Sequence, residues 1–293
     1  MHPNDAPLED GLLERVLQRL GLSRRPSLDL AGLREVYGAW SRSVPFDNLR
    51  KLLHLADGSP GPLPGDDVLD FLEGWLRWGT GGTCWAGNGA LATLLATLGF
   101  RAERRLATML VAPNLPPNHG TVVVTLDGSP WLVDASILFG EPLLLDRDRE
   151  TSVDHPARGV RCAMREDRWH VRWRALHAPN GLDCRIEERS ADAAEFSARH
   201  DETRGWSPFN YQVNVRTNRG DRALGIAFGN RVEIDASGAV SLAALDHEAR
   251  QRVLIQDLGF DPAFVDRVPA DMPTPPPPFS RTAAARAEAD QPS

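Results

Sequence analysis

Cysteine is scarce in this chain, and the three present, Cys84, Cys162 and Cys184, include no Cys-x-x-Cys pair. So sparse and odd a set makes a poor disulfide framework and a poor zinc site. Long apolar runs are missing too: no uncharged stretch approaches the roughly 18 to 20 residues that span a bilayer. The opening Met1-His2-Pro3-Asn4-Asp5 is polar, with no basic segment leading into an apolar core, so it does not read as a secretion signal. These absences point to a reducing cytoplasm and away from a membrane. Positive charge is not in excess either. With 33 Lys and Arg against 40 Asp and Glu, the net charge of -7 argues against a dedicated nucleic-acid binder, which needs a basic face. GxxxxGK, GxGxxG after a strand, and GxSxG are all absent, which removes support for nucleotide-phosphate and serine-hydrolase chemistry. The eight histidines show no HExxH or paired metal spacing, so no metal is assigned.

What is present is an ordinary globular composition of 42% hydrophobic and 25% charged residues, in a chain of 293 residues that can bury a sizeable core. The first hundred residues carry helical stripes: Leu12, Leu13, Val16, Leu17 and Leu20 before Gly21, then Leu33, Val36, Tyr37 and Trp40. Val68, Phe71, Leu72 and Trp75 follow, behind Asp66 and Asp67 as candidate caps, and the Leu91, Leu94, Leu95, Leu98 stripe ends at Gly99. From about residue 105 the period changes to two. Thr121 to Leu126, Asp127-Gly128, and Trp131 to Asp134 form a strong hairpin signal. Strand-like pieces continue at 159–164, 169–174, 183–188, 211–217, 223–228 and 231–234, and a last helix is expected from about Leu245 to Leu258. The residues after Met272 are proline-rich and then poor in apolar content, and read as an extended, poorly ordered tail. The chain is thus α+β: helices first, an antiparallel β middle, and a smaller α/β end.

Cys84 follows Gly79-Thr-Gly-Gly-Thr83 and opens the helix that ends near Leu98. A thiol there sits at the positive end of the helix dipole, which favours thiolate, and the free N–H groups can stabilise an oxyanion. Glycines before it allow close backbone approach to a ligand and unusual dihedrals. The competing reading is a small buried core cysteine, the commonest fate of a free thiol. His119 and Asp134 flank the hairpin. With a two-residue turn at Asp127-Gly128, Thr121 faces Asp134 and His119 lies one diagonal step away on the same sheet face. A four-residue loop keeps the face but spreads the pair. In triad logic Asp134 orients His119, which takes the thiol proton.

Several segments then resemble one family. Val44-Pro-Phe-Asp-Asn-Leu49 looks like the Val/Ile-Pro-Phe-Glu-Asn-Leu segment of arylamine N-acetyltransferases, and Gly81-Gly-Thr-Cys-Trp-Ala-Gly-Asn88 resembles their Arg-Gly-Gly-x-Cys-aromatic-Glu-x-Asn motif. Asn118-His119, Trp131-Leu-Val-Asp134, Ser207-Pro-Phe209 and the helix ending Leu258-Gly-Phe260 match in order. The resemblance implies a helical bundle over 1–103, a central antiparallel β-barrel over 104–208, an α/β lid over 209–270 and a tail over 271–293, with a papain-like or transglutaminase-like cysteine triad. It implies ping-pong transfer from acetyl-CoA, a co-substrate with no permanently bound cofactor, through Cys84 to an aromatic amine or hydrazine. By position Cys84 is the nucleophile, His119 the base and Asp134 the orienter. Phe46, Thr83, Trp85, Ser136, Phe139 and Phe209 are expected at the substrate and acyl pocket.

Departures from the family pattern keep two alternatives open. Thr80 stands in place of arginine and Asp47 in place of glutamate, so an ion pair beside the cysteine is missing. Ala86 replaces a second glutamate, and Ala135-Ser-Ile-Leu-Phe-Gly140 replaces a glycine-containing run. The altered run motivates an amide synthase that takes a larger acyl chain from an acyl-carrier donor. The lost charges motivate a catalytically silent homologue that binds an aromatic ligand or a protein partner.

Overall fold

The computed structural model describes residues 2–111 and 116–278. The N-terminal stripes become helices where expected. α1 (Asp10–Leu20) buries Leu13, Val16, Leu17 and Leu20 and stops at Gly21, whose φ of 78° is the left-handed region that glycine adopts most cheaply. α2 (Leu30–Ser43) is capped by the Asp29 carboxylate, which accepts from the Gly32 N–H, and buries Val36, Tyr37 and Trp40. The two-residue strand β1 (Phe46–Asp47) leads into α3 (Leu49–Ala56). α4 (Val68–Trp78) uses Asp67, not Asp66, as its cap. α5 (Cys84–Leu98) is buried on nearly every side, packed against α4, β2 and β3.

The middle of the chain supplies β2 (Arg101–Met109), β3 (His119–Leu126), β4 (Ser129–Val133), β5 (Leu143–Leu144), β6 (Thr151–Val153), β7 (Val160–Arg165), β8 (Arg168–Ala175) and β9 (Ala178–Ala191). They form one antiparallel sheet in the order β5-β4-β3-β2-β9-β8-β7-β6. Its edges come together where the Thr151 hydroxyl donates to the Leu144 carbonyl, giving a near-closed barrel. The β3–β4 hairpin takes the two-residue register, Leu126 opposite Ser129, with φ of 48° at Asp127 and 79° at Gly128. Two positive φ values in a two-residue loop suit the right-handed twist of the strands.

α6 (Ala193–Glu202) leaves the barrel and packs on α5. β10 (Val215–Arg219), β11 (Arg222–Ala227), β12 (Asn230–Ile234) and β13 (Val240–Ala244) follow. α7 (His247–Arg252) runs into a π-helical turn at Val253–Asp257, and α8 (Pro262–Val265) ends the regular structure. The second sheet has the order β1-β10-β11-β12-β13, so its first strand comes from the N-terminal part. One face of this sheet packs Val215, Leu224 and Ile226 with Leu254 and Leu258. Its other face packs Ala223, Val232 and Ile234 with Ala157 and Leu176 of the barrel region. The bundle and barrel share one larger core that includes Trp40, Phe71, Leu91, Val122 and Phe139.

Of the expected tail, residues 279–293 lie outside the described residues. Residues 271–278 have no regular structure but are tied down. Asp271 accepts from the Val213 N–H and from Arg250, the Met272 N–H reaches the Tyr211 carbonyl, and Trp206 Nε1 donates to the Pro275 carbonyl.

Candidate active site

The loop that delivers Cys84 is fastened to β1. Phe46 bridges Gly82, and the Asp47 N–H donates to the Gly82 carbonyl at 3.2 Å. A Cβ on Gly81 would collide with the Pro45 carbonyl, so glycine is needed there for strand-to-loop approach rather than for a ligand. Asp47 is 1% exposed, and Thr80, 0% exposed, brings it no charge. The expected gap in support is filled by main chain instead: Asp47 accepts from the Gly81 N–H at 2.5 Å and the Leu49 N–H at 3.0 Å. Burial still pushes the Asp47 carboxyl up to about 6 against those two donors. Ala86 is buried close beneath Gly65 and Phe71, where a Cβ on Gly65 would stand 2.8 Å from its own.

Cys84 opens α5 with 9% of its surface exposed, packed with Trp85, Leu106, Ala191 and Phe196. His119 is the first residue of β3, opposite Ala107 of β2. Its neighbour Asn118 holds that corner by donating its N–H to the Ala107 carbonyl and accepting the Met109 N–H. His119 Nε2 lies 2.8 Å from Asp134 Oδ2, and both residues are buried. The imidazole also lies near enough to the Cys84 thiol for the thiol to raise its basicity. Burial alone would lower the basicity of His119. The charge and hydrogen bond of Asp134 outweigh it, the thiol adds to them, and the imidazole is raised well above its usual range.

Asp134 is the best-held group in the site. Oδ1 accepts from the Ser136 N–H (2.8 Å), the Ser136 hydroxyl (2.7 Å), the Ile137 N–H (3.0 Å) and Asn88 Nδ2 (3.3 Å). Oδ2 is left to the imidazole. Burial raises the carboxyl, but His119 and these donors hold it below the usual range. Asn88 also donates to the Gly120 carbonyl and accepts the Ala135 N–H, tying α5 to β3 and to the turn after β4. Gly120 permits this: a Cβ there would stand 2.7 Å from Trp85 and 2.8 Å from Phe196.

The structure therefore brings Cys84, His119 and Asp134 together, with Thr83 and Trp85 beside the thiol. Phe46 and Phe209 meet edge to face, ring centroids 5.3 Å apart, at the β1 side of the same loop. Ser136 serves Asp134 rather than a pocket wall. Phe139 lies in the main core against Tyr37, away from any opening. The run from Ala135 to Gly140 folds back under the carboxylate, with Leu138 at φ 56° and its carbonyl held by Asn218.

Three buried polar residues went unread as site residues in the sequence. Asn88 stood inside a recognised motif, which was its only signal. Lys51 donates to the hydroxyl and carbonyl of Thr203, meets no carboxylate among the described residues, and is pushed down to about 7 by burial. His200 points inward from α6, with Nε2 on the Pro64 carbonyl. Neither lies in a pattern that marks it out. Among the described residues no group of three His, Cys, Asp or Glu is placed to hold a metal ion.

Residues 29–172 match a family model described as N-acetyltransferase. The chain is similar to a curated arylamine N-acetyltransferase of Mycolicibacterium smegmatis, 36% identical over 126 residues. That stretch is 40% of this chain and spans less than half of the relative, 43% of its length. Among solved structures, the arylamine N-acetyltransferase of Nocardia farcinica superposes with a TM-score of 0.74 at 21% identity, over 91% of this chain and 95% of that one. The Mycobacterium marinum arylamine N-acetyltransferase, solved in complex with CoA, gives 0.71 at 20% identity over 87% and 98%. At such identities these structures speak for the fold. The matched segment contains Cys84, His119 and Asp134 but takes in just under half of this chain, so the chain is similar in that segment, and in its fold as a whole, to the arylamine N-acetyltransferases.

Proposed function

We propose that the protein moves an acetyl group from acetyl-CoA, through a thioester on Cys84, to the amine of an arylamine or hydrazine. The observation that carries this reading is the thiol at the head of α5, facing an imidazole that a buried carboxylate holds at 2.8 Å. His119 takes the proton from Sγ, and Asp134 stabilises the imidazolium that forms. Sulfur attacks the acetyl carbonyl, and the proton on His119 leaves with the CoA thiol as the thioester forms. In the second half the acceptor amine attacks that thioester, His119 takes its proton, and Cys84 is released. Phe46, Phe209 and Trp85 offer apolar and aromatic surface near the thiol for the acceptor ring.

Intact-mass measurement after mixing protein and acetyl-CoA without acceptor tests this. One acetyl group on Cys84, absent from Cys84→Ala, is the expected result. A free thiol after prolonged exposure counts against it.

The amide-synthase reading needs a wide channel beside the sulfur. Trp85, Leu106, Ala191 and Phe196 pack closely there, which favours a small acyl group over a long chain. A silent homologue would have no use for the network on Asp134, and would leave biological activity unchanged in Cys84→Ala.

A further inference from the structure

Thr83 is the residue before the nucleophile and the N-cap of α5, with φ -72° and ψ 176°. Threonine at such a position ordinarily turns its hydroxyl onto a free N–H of the first turn. Here it makes no such bond. The hydroxyl is buried, the residue is 6% exposed, and its oxygen finds no partner among the described residues. A buried hydroxyl without a partner is held at a cost of about 1–3 kcal/mol, so a structural purpose does not account for it. The same turn presents the N–H groups of Cys84, Trp85 and Ala86, which a helix leaves without intrahelical partners. An unpaired O–H thus stands on the residue directly before the one whose sulfur attacks, at the same helix end as these N–H groups.

We propose that Thr83 is a catalytic residue whose hydroxyl, with the free N–H groups at the head of α5, donates to the oxyanion of the tetrahedral intermediate on Cys84. The inference rests on the acyl-transfer reading above and assigns one of its groups. As the sulfur–carbon bond forms, the carbonyl π pair moves onto oxygen, and that charge is what the Thr83 O–H meets. When the pair returns, the bond to the leaving group breaks, and the leaving group takes the proton held on His119. Thr83 neither gains nor loses a proton in the cycle. Because it forms no cap in the resting protein, its hydroxyl is available without first breaking a bond.

The test compares wild type, Thr83→Val and Thr83→Ser in two reactions of Cys84. Acetylation by acetyl-CoA and by p-nitrophenyl acetate passes through an oxyanion. Alkylation by iodoacetamide is a direct displacement that needs the same thiolate but forms none. Thr83→Val should slow acetylation by roughly 10²- to 10³-fold, leave alkylation within about 2-fold, and keep the melting temperature, while Thr83→Ser retains most of the acetylation rate. Equal acetylation rates in wild type and Thr83→Val would overturn the assignment. So would a parallel fall in both reactions, which marks a structural role. A wild-type protein that alkylates but takes no acetyl group from either donor sinks the acyl-transfer reading itself, and this assignment with it.

Discussion

Asp47, a buried carboxyl group that makes no ion pair among the described residues, is an unusual fastening for the loop that carries Cys84. Its two partners are backbone N–H groups, and burial lifts its pKa to about 6 from an unfolded value near 3.9. Because the folded value is the higher one, protonation of Asp47 favours the native state. That contribution is fully present below about pH 4 and is lost as pH rises through about 6, a swing of about 1–3 kcal/mol. Asp47→Asn removes the titration. The stability of wild type relative to Asp47→Asn should therefore fall between pH 4.5 and pH 7, as followed by thermal denaturation of both proteins (about 4.5 and about 7 bracket the titration). A constant difference would mean that the carboxyl titrates normally. Residue types alone pointed the other way. Thr80 and Asp47 read as a broken ion pair, because a sequence does not reveal that a carboxylate has found main-chain donors.

α6 shows how an element can matter to the site and yet be hard to read. Its buried face consists of Ala193, Phe196 and His200, too sparse an apolar stripe to stand out beside α1 or α5. α3 escaped notice for a related reason, being short and following a proline-containing turn. The β3–β4 hairpin was legible because alternation and an Asp-Gly turn agree on one register, and that register sets His119 against Asp134. Phe196 of α6 meets the Trp85 ring edge-on at 5.2 Å and closes over the thiol. Phe196→Ala should lower stability by about 3 kcal/mol. It should also raise the rate of butyryl transfer from butyryl-CoA relative to acetyl transfer by about 10-fold, a barrier difference of about 1.4 kcal/mol. Measuring both thioesters on the same variant checks it, and an unchanged ratio would mean that α6 does not set acyl size.

At the scale of the whole molecule, the helical, β and α/β order of the chain was readable from changes of period, but the connection between its ends was not. Nothing about Phe46 and Asp47 marks them as the edge strand of a sheet whose other strands begin at Val215. The loop of the candidate nucleophile leans on that strand, and the strand leans on β10. Asn48 strengthens the link, donating to the carbonyls of Phe209 and Gln212 and accepting the Asn214 N–H. A protein ending at residue 208 keeps Cys84, His119 and Asp134, yet the acetylation of Cys84 proposed above should fall by more than about 10²-fold, since small displacements of positioned groups are that damaging. Intact mass after exposure to acetyl-CoA measures this. Near-normal acetylation would make the last third dispensable for chemistry.

The β1–β10 pairing also dictates an order of events at the ribosome. The cysteine emerges in the first third of the chain, but the strand that braces its loop is translated much later. Until then the thiol is present without its finished setting. The growing polypeptide thus carries the Cys84 thiol before its loop has a brace, and that loop can settle into its final place only after β10 has been made.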